Sequence, residues 1–150
     1  MKITLNDMEQ RLAENVGKSR MERCTKEGTP NMKRGPQSDL EIDTIGAGAE
    51  IAFCKLWNLY PNLTDEKDLF DAMTRTGHTV DVKTTRYQSG RLLAVRHKIL
   101  NQSDIYALML CDYPDFTFAG YATGDELFDD DNLIDLGYGL TYGLTQDQLH

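Results

Sequence analysis

Apolar positions recur with two different periods along this chain, and the change from one to the other divides it. Leu5, Met8, Leu12 and Val16 fall at near-helical spacing. Thr4, with Asp7 three residues on, resembles a capping signal, so the pattern predicts a helix over 5–16 that extends toward the mid-twenties. Residues 47–59, AGAEIAFCKLWNL, predict a buried helix with Ala49, Ala52, Phe53, Leu56 and Leu59 as its stripe and Pro61 as its stop. Beyond it the period becomes two. Strands are predicted at about 68–74, 78–85, 91–96, 105–111 and 116–122. The segment Ile105 to Cys111 is apolar on both faces, as in a central strand covered on both sides.

Between the two helices, residues 17–45 mix Gly17, Gly28, Pro30, Gly35 and Pro36 with Lys18, Arg20, Arg23, Lys26, Lys33 and Arg34. That composition predicts a basic arm with little regular structure. Thr123 with Glu126, and Thr145 with Gln148, are capping-box signals for short helices. Between them a tetrapeptide occurs twice, Tyr138-Gly-Leu-Thr and Tyr142-Gly-Leu-Thr. Read as a strand, it places Tyr138, Leu140, Tyr142 and Leu144 on one face, and packing on the domain outweighs base stacking as their role.

With 150 residues, 40% of them apolar and 27% charged, the chain has the size and mixture of one ordinary domain. No apolar run is long enough to cross a bilayer, and the first seven residues lack the apolar stretch of a secretory signal. Three widely spaced cysteines, Cys24, Cys54 and Cys111, fit neither a disulfide framework nor a paired-cysteine zinc site, so a reducing, cytoplasmic setting is expected. The net charge of -8 conceals an asymmetry: all 16 Lys and Arg lie in residues 1–100, and residues 101–150 hold ten acids and no Lys or Arg. From Arg75 to Lys98 six cations face one acid, Asp81, a local excess suited to phosphates.

Several chemistries are excluded by motif. The chain has no GxxxxGK[ST] loop, no HExxH, no paired CxxC and no GxSxG elbow, and His78, His97 and His150 lack metal-ligand spacing. Carboxylates and a lysine remain, in residues 68–85, DLFDAMTRTGHTVDVKTT. If Arg75-Thr76-Gly77 is a three-residue hairpin loop with Gly77 left-handed, Thr74 pairs with His78 and Asp71 lies opposite Asp81. Asp71, Asp81 and Lys83 then share one face, while Phe70, Ala72, Val80 and Val82 share the other. Two facing carboxylates call for a cation between them, and Lys83 is placed to assist water bound to it. A two-residue loop would instead put Asp71 and Asp81 on opposite faces.

Asp71, then Asp81-Val82-Lys83, with Glu50 on the helix upstream, resembles the PD-(D/E)XK nucleases over about residues 46–122. The resemblance implies an α/β fold: a restriction-endonuclease-like mixed β-sheet flanked by helices. An N-terminal helical and basic arm, 1–45, would precede a nuclease-like domain, 46–150. It implies that Glu50, Asp71 and Asp81 hold Mg²⁺ or Mn²⁺, and that Lys83 positions or activates the attacking water. Arg86, Arg91, Arg96 and Lys98 would contact phosphates. The expected activity is hydrolysis of phosphodiester bonds in DNA, as an endo- or exodeoxyribonuclease, and the chain's compactness is similar to that of phage-encoded members.

The sequence departs from the pattern where Phe70, rather than proline, precedes Asp71. Only residues 97–104 separate the third and fourth predicted strands, short for a parallel crossover. A second string match, Asp65-Glu66-Lys67, lacks apolar alternation, and Asp68 competes with Asp71 for the hairpin position. The alternative from a different class is a non-catalytic interaction protein or DNA mimic that uses the acidic C-terminal third. A third reading is a junction- or repair-type nuclease active as a homodimer.

Overall fold

The computed structural model describes residues 1–28, 38–64 and 70–150. A short strand, β1 (Lys2–Thr4), leads into helix α1 (Asp7–Glu27). The capping box sits two residues beyond Thr4: Asn6 Oδ1 accepts from Glu9 N, and Glu9 Oε2 accepts from Asn6 N. Gly28, left-handed at φ 68°, closes the helix. Helix α2 (Asp39–Trp57) starts at Ser38, which accepts from Glu41 N, and ends at Asn58, left-handed at φ 53°, ahead of the expected stop at Pro61.

α1 runs into the twenties as its pattern predicts, and the irregular arm expected over 17–45 is corrected where the structure describes it. Two regular helices account for 17–27 and 39–45, and the boundary drawn at 45/46 falls inside α2. Gly17 is no breaker. A Cβ there would lie 2.6 Å from Thr44 N and 2.7 Å from Thr44 Cα, so the missing side chain lets α1 approach the backbone of α2. Lys18, Arg20, Met21, Glu22 and Arg23 are good helix formers and carry α1 onward. Pro30, Lys33, Arg34, Gly35 and Pro36 lie outside the described residues.

Six strands follow in the first part of the remaining chain: β2 (Ala72–Met73), β3 (Thr79–Thr85), β4 (Leu92–Val95), β5 (Ile105–Asp112), β6 (Asp115–Thr123) and, after helix α3 (Gly124–Leu127), β7 (Leu133–Asp135). The last strand is β8 (Leu140–Leu144). A mixed sheet runs in the order β1-β6-β5-β3-β2, with β3 and β5 parallel and the other pairs antiparallel. A second, antiparallel sheet runs β4-β8-β7.

The expected central strand is β5, with Tyr106 to Cys111 buried between two cores. On one face Ala107, Met109 and Cys111 join Val80, Val82 and the α2 residues Ala49, Ala52 and Phe53. On the other, Tyr106, Leu108 and Leu110 pack with Leu92, Ala94, Leu127, Tyr142 and Leu144 of the second sheet and α3. The short crossover expected over 97–104 is resolved by this topology. β4 leaves the main sheet to pair with β8, so the parallel connection runs from β3 to β5 through 86–104. A 3-10 helix, Arg96–Leu100, lies within it. Asp104 pins the parallel pair at its start, since its Oδ2 accepts from both Thr79 N (2.8 Å) and Thr79 Oγ1 (3.1 Å).

Both downstream capping boxes form, Thr123 with Glu126 ahead of α3 and Thr145 with Gln148 ahead of a 3-10 turn, Gln146–Gln148. The repeated tetrapeptide divides. Tyr142 and Leu144 are buried on β8, whereas Leu140 is half exposed and Tyr138 lies before the strand. Gly137 (φ 92°) and Gly139 (φ 94°) place Tyr138 in a turn instead of the expected strand. Among the described residues no helix is long and apolar enough to cross a membrane.

Candidate functional site

The hairpin register is the one that three loop residues dictate. Ala72 pairs with Val80 and Met73 with Thr79, and Thr74 N donates to His78 O at 2.8 Å. Gly77 is left-handed at φ 87°. At Asp71 the ladder breaks: Asp71 N donates to the O of Val80 (2.8 Å), the residue already paired with Ala72, so the expected Asp71–Asp81 pairing does not form, although Asp81 stays within electrostatic reach of Asp71. Ala72, Val80 and Val82 turn into the core under α2, while Asp81 and Lys83 lie beside Tyr106 and Leu108 of β5 on the other face.

Sequence reasoning did not single out Asn62, which fixes the other side of Asp71. Asn62 N donates to Asp71 O at 2.7 Å, and Asn62 Nδ2 donates to Phe70 O at 2.9 Å. The β2 ladder stops at Ala72, so among the described residues β3 has no strand neighbour beside Val82 on that side. Asp71 Oδ2 fills this place by accepting Val82 N–H at 2.7 Å. The carboxylate thus turns into the plane of the open edge, where groups from both faces of the sheet come within electrostatic reach.

Glu50, on α2, is 5% exposed. Its two oxygens accept a fork from Arg20 of α1, Nη1 to Oε1 at 2.7 Å and Nη2 to Oε2 at 2.8 Å. Such bidentate, charge-assisted pairs are the strong ones. Asp81 is buried, and its Oδ1 lies 2.5 Å from Lys83 Nζ. Burial pushes the Asp71 carboxyl well above its ordinary range, and the negative charges of Glu50 and Asp81 push it further. Burial also raises Glu50, although Arg20 pulls it back. Burial pulls Lys83 down, but Asp81, with Asp71 behind it, holds the ammonium above its ordinary value.

Three acids and two cations therefore share one electrostatic neighbourhood: Glu50, Asp71, Asp81, Lys83 and Arg20. Arg20 was expected only as one cation of a loose basic arm. Nothing in local spacing links it to Glu50, thirty residues away. Asp65, Glu66, Lys67 and Asp68, the competing match and the competing acid, lie outside the described residues.

Carboxylate oxygens are the ligands a hard divalent ion takes. Asp71 and Asp81 suit one, since a cation between them offsets the repulsion that raises Asp71. Glu50 does not offer the same, because Arg20 holds both of its oxygens. Among the described residues no group of three His, Cys, Asp or Glu side chains is arranged to hold a metal ion.

Of the four expected phosphate contacts, Arg86 and Arg91 line the same groove as Lys83. Arg86 is exposed and pairs with Glu41 at 3.1 Å. Arg96 and Lys98 lie on the 3-10 helix after β4 and do not line that groove. No protein-family model matches the chain, and no curated protein matches it.

Proposed function

We propose that the protein is a metal-dependent nuclease that hydrolyses phosphodiester bonds in DNA, and that its main sheet is a restriction-endonuclease-like core. The observation that carries this reading is the hairpin register. It brings Asp71 to the end of the ladder, within electrostatic reach of Asp81 and Glu50, with Lys83 against Asp81. The order of a helix, α2, then the β2-β3 hairpin, then a strand parallel to β3 also supports it.

Asp71 and Asp81 would hold a Mg²⁺ or Mn²⁺ ion. Such an ion, when bound, lowers the pKa of its water and neutralises charge on the scissile phosphate. Lys83 Nζ, held by Asp81, orients the water and offsets negative charge that develops in the transition state. Arg20 orients Glu50 through its fork and opposes the rise that burial imposes on its carboxyl. Arg86 and Arg91 bind backbone phosphates along the groove that leads to Lys83.

The test is incubation with plasmid, single-stranded and branched DNA, with Mg²⁺, Mn²⁺ or chelator. Cleavage is expected with metal and not with chelator, and Asp81→Ala should abolish it. A parent protein that binds DNA yet cuts none of these with any divalent metal supports instead the non-catalytic, acidic interaction or DNA-mimic reading.

A further inference from the structure

Beside Lys83 lies a groove of about 550 Å³ that opens between the end of β3, the turn after it and the loop between β7 and β8. Lys83, Arg86 and Arg91 line it, and among the described residues no acid does. Two of these cations are already engaged from outside the groove, Lys83 by Asp81 and Arg86 by Glu41. Arg91 forms no ion pair among the described residues.

Two aromatic rings also line the groove, and both are exposed: Tyr87 at 63% and Tyr138 at 69%. A single exposed aromatic residue needs no explanation, but these two share a wall system with three cations. Both are held on ordered turns. Tyr87 N donates to Thr85 Oγ1, and Gly90 N closes the turn onto Tyr87 O at 2.9 Å. Gln146 braces that turn from the C-terminal segment, with Nε2 donating to Gln88 O (2.8 Å) and Gly90 O (3.0 Å). Tyr138 stands between two left-handed glycines, and Asp135 Oδ1 fixes that turn by accepting from Gly137 N at 2.8 Å.

We propose that this groove binds an unpaired segment of a nucleic-acid strand, with Tyr87 and Tyr138 as stacking platforms for its bases and Arg91 and Arg86 on its phosphates. The inference rests on the nuclease reading and narrows its substrate to single-stranded regions. Aromatic rings flanked by cations are the means by which proteins hold single strands, because every unstacked base offers a π-face. Bases inside a duplex have both faces covered by their neighbours and present only edges to the grooves, so tyrosine rings gain little from them.

The experiment measures binding by fluorescence anisotropy in chelator, where nothing is cut, using an oligothymidylate and a blunt duplex of equal length. The single strand should bind at least tenfold more tightly. Tyr87→Ala and Tyr138→Ala should each weaken it about 5- to 150-fold, the range for one lost base–aromatic stack. Tyr87→Phe and Tyr138→Phe should restore it, and Tyr60→Ala, 82% exposed but outside the groove, should change nothing. Alanine variants that bind the single strand like the parent would overturn the proposal, as would a duplex bound equally well or no binding to either probe. Tyrosine-dependent binding by a protein that cuts no DNA would leave this inference standing and remove the nuclease reading. Cleavage that is indifferent to both tyrosines would do the reverse.

Discussion

Lys83 is the residue whose removal separates binding from chemistry. It touches Asp81 but is not itself a ligand for a cation, so Lys83→Ala should retain metal and DNA binding. Cleavage should fall by about 10²-fold or more, the scale of a lost transition-state contact. Lys67→Ala, in the competing string match, should cut at the parent rate. A Lys83→Ala protein as fast as the parent would end the mechanism. Asp71 makes a different prediction, about stability in chelator. Its native pKa is raised by burial and by the neighbouring acids, so the native state holds its proton more tightly than the unfolded chain does. The associated stability is fully present below the unfolded value, about 4, and is lost as the pH rises through the native value. Asp71→Asn keeps an oxygen for Val82 N–H and never ionises. It should therefore melt above the parent at pH 8, by a margin that shrinks toward pH 4. Equal melting curves across that range would show that Asp71 is not under strain. The Arg20–Glu50 fork responds to a double-mutant cycle in denaturant melts. Arg20→Met alone strands a buried carboxylate, at a cost of roughly 3 kcal/mol, whereas Arg20→Met with Glu50→Leu should recover much of it.

At the scale of elements, the hairpin was legible because its loop length and its side-chain alternation gave the same answer. Three loop residues with Gly77 left-handed put Ala72, Val80 and Val82 inward together, and a one-residue slip would turn Ala72 away from the other two. The central strand was legible for a similar reason, since both of its faces are apolar and both are covered. The start of α2 was not, and the helical pattern that carried α1 toward the mid-twenties competed with a composition that read 17–45 as an arm. Gly17 reads locally as a break, and only its contact with Thr44, far along the chain, explains why the helix runs through it. Grouping Arg20, one turn beyond Gly17, with the cations of an arm hid it as the partner of Glu50. Asn62 was hidden because its bonds run to the backbone of Phe70 and Asp71, which no side-chain pattern records. β4 was found as a strand but not in its sheet, because periodicity does not say which strand is the neighbour. The close approach gives a test. Gly17→Ala forces a methyl against the backbone of α2, which cannot swing aside as a side chain would. It should destabilise by about 1–3 kcal/mol. Glu50 should feel the shift of α1, so metal-free Gly17→Ala should show a smaller coupling between Arg20 and Glu50 in the same double-mutant cycle. A neutral Gly17→Ala would mean that the helices can part without cost.

For the whole molecule, the acids dominate: 24 Asp and Glu against 16 Lys and Arg, with the C-terminal third bare of cations. Any divalent ion will accumulate weakly on such a surface, so a rise in melting temperature with Mg²⁺ does not by itself reveal a site. Specific binding to the native state stabilises by mass action, about 2.7 kcal/mol at a concentration one hundred times the dissociation constant. In a domain of this size that corresponds to roughly 5–10 °C. Asp71 and Asp81 are ten residues apart and are brought together by the hairpin, so the unfolded chain does not hold their arrangement. Mn²⁺ should accordingly raise the melting temperature along a saturating curve. Asp81→Asn removes one charge from a pair that needs two and should flatten that curve. Asp129→Asn in the exposed acidic turn after α3 lowers the surface charge by the same amount and should leave it intact. Ionic strength is matched with NaCl throughout, which screens the diffuse contribution equally in all three proteins. If Asp81→Asn and Asp129→Asn respond to Mn²⁺ alike, the ion is condensing on the surface and the hairpin acids do not form a metal site. If only Asp81→Asn loses the response, the ion sits at the sheet edge.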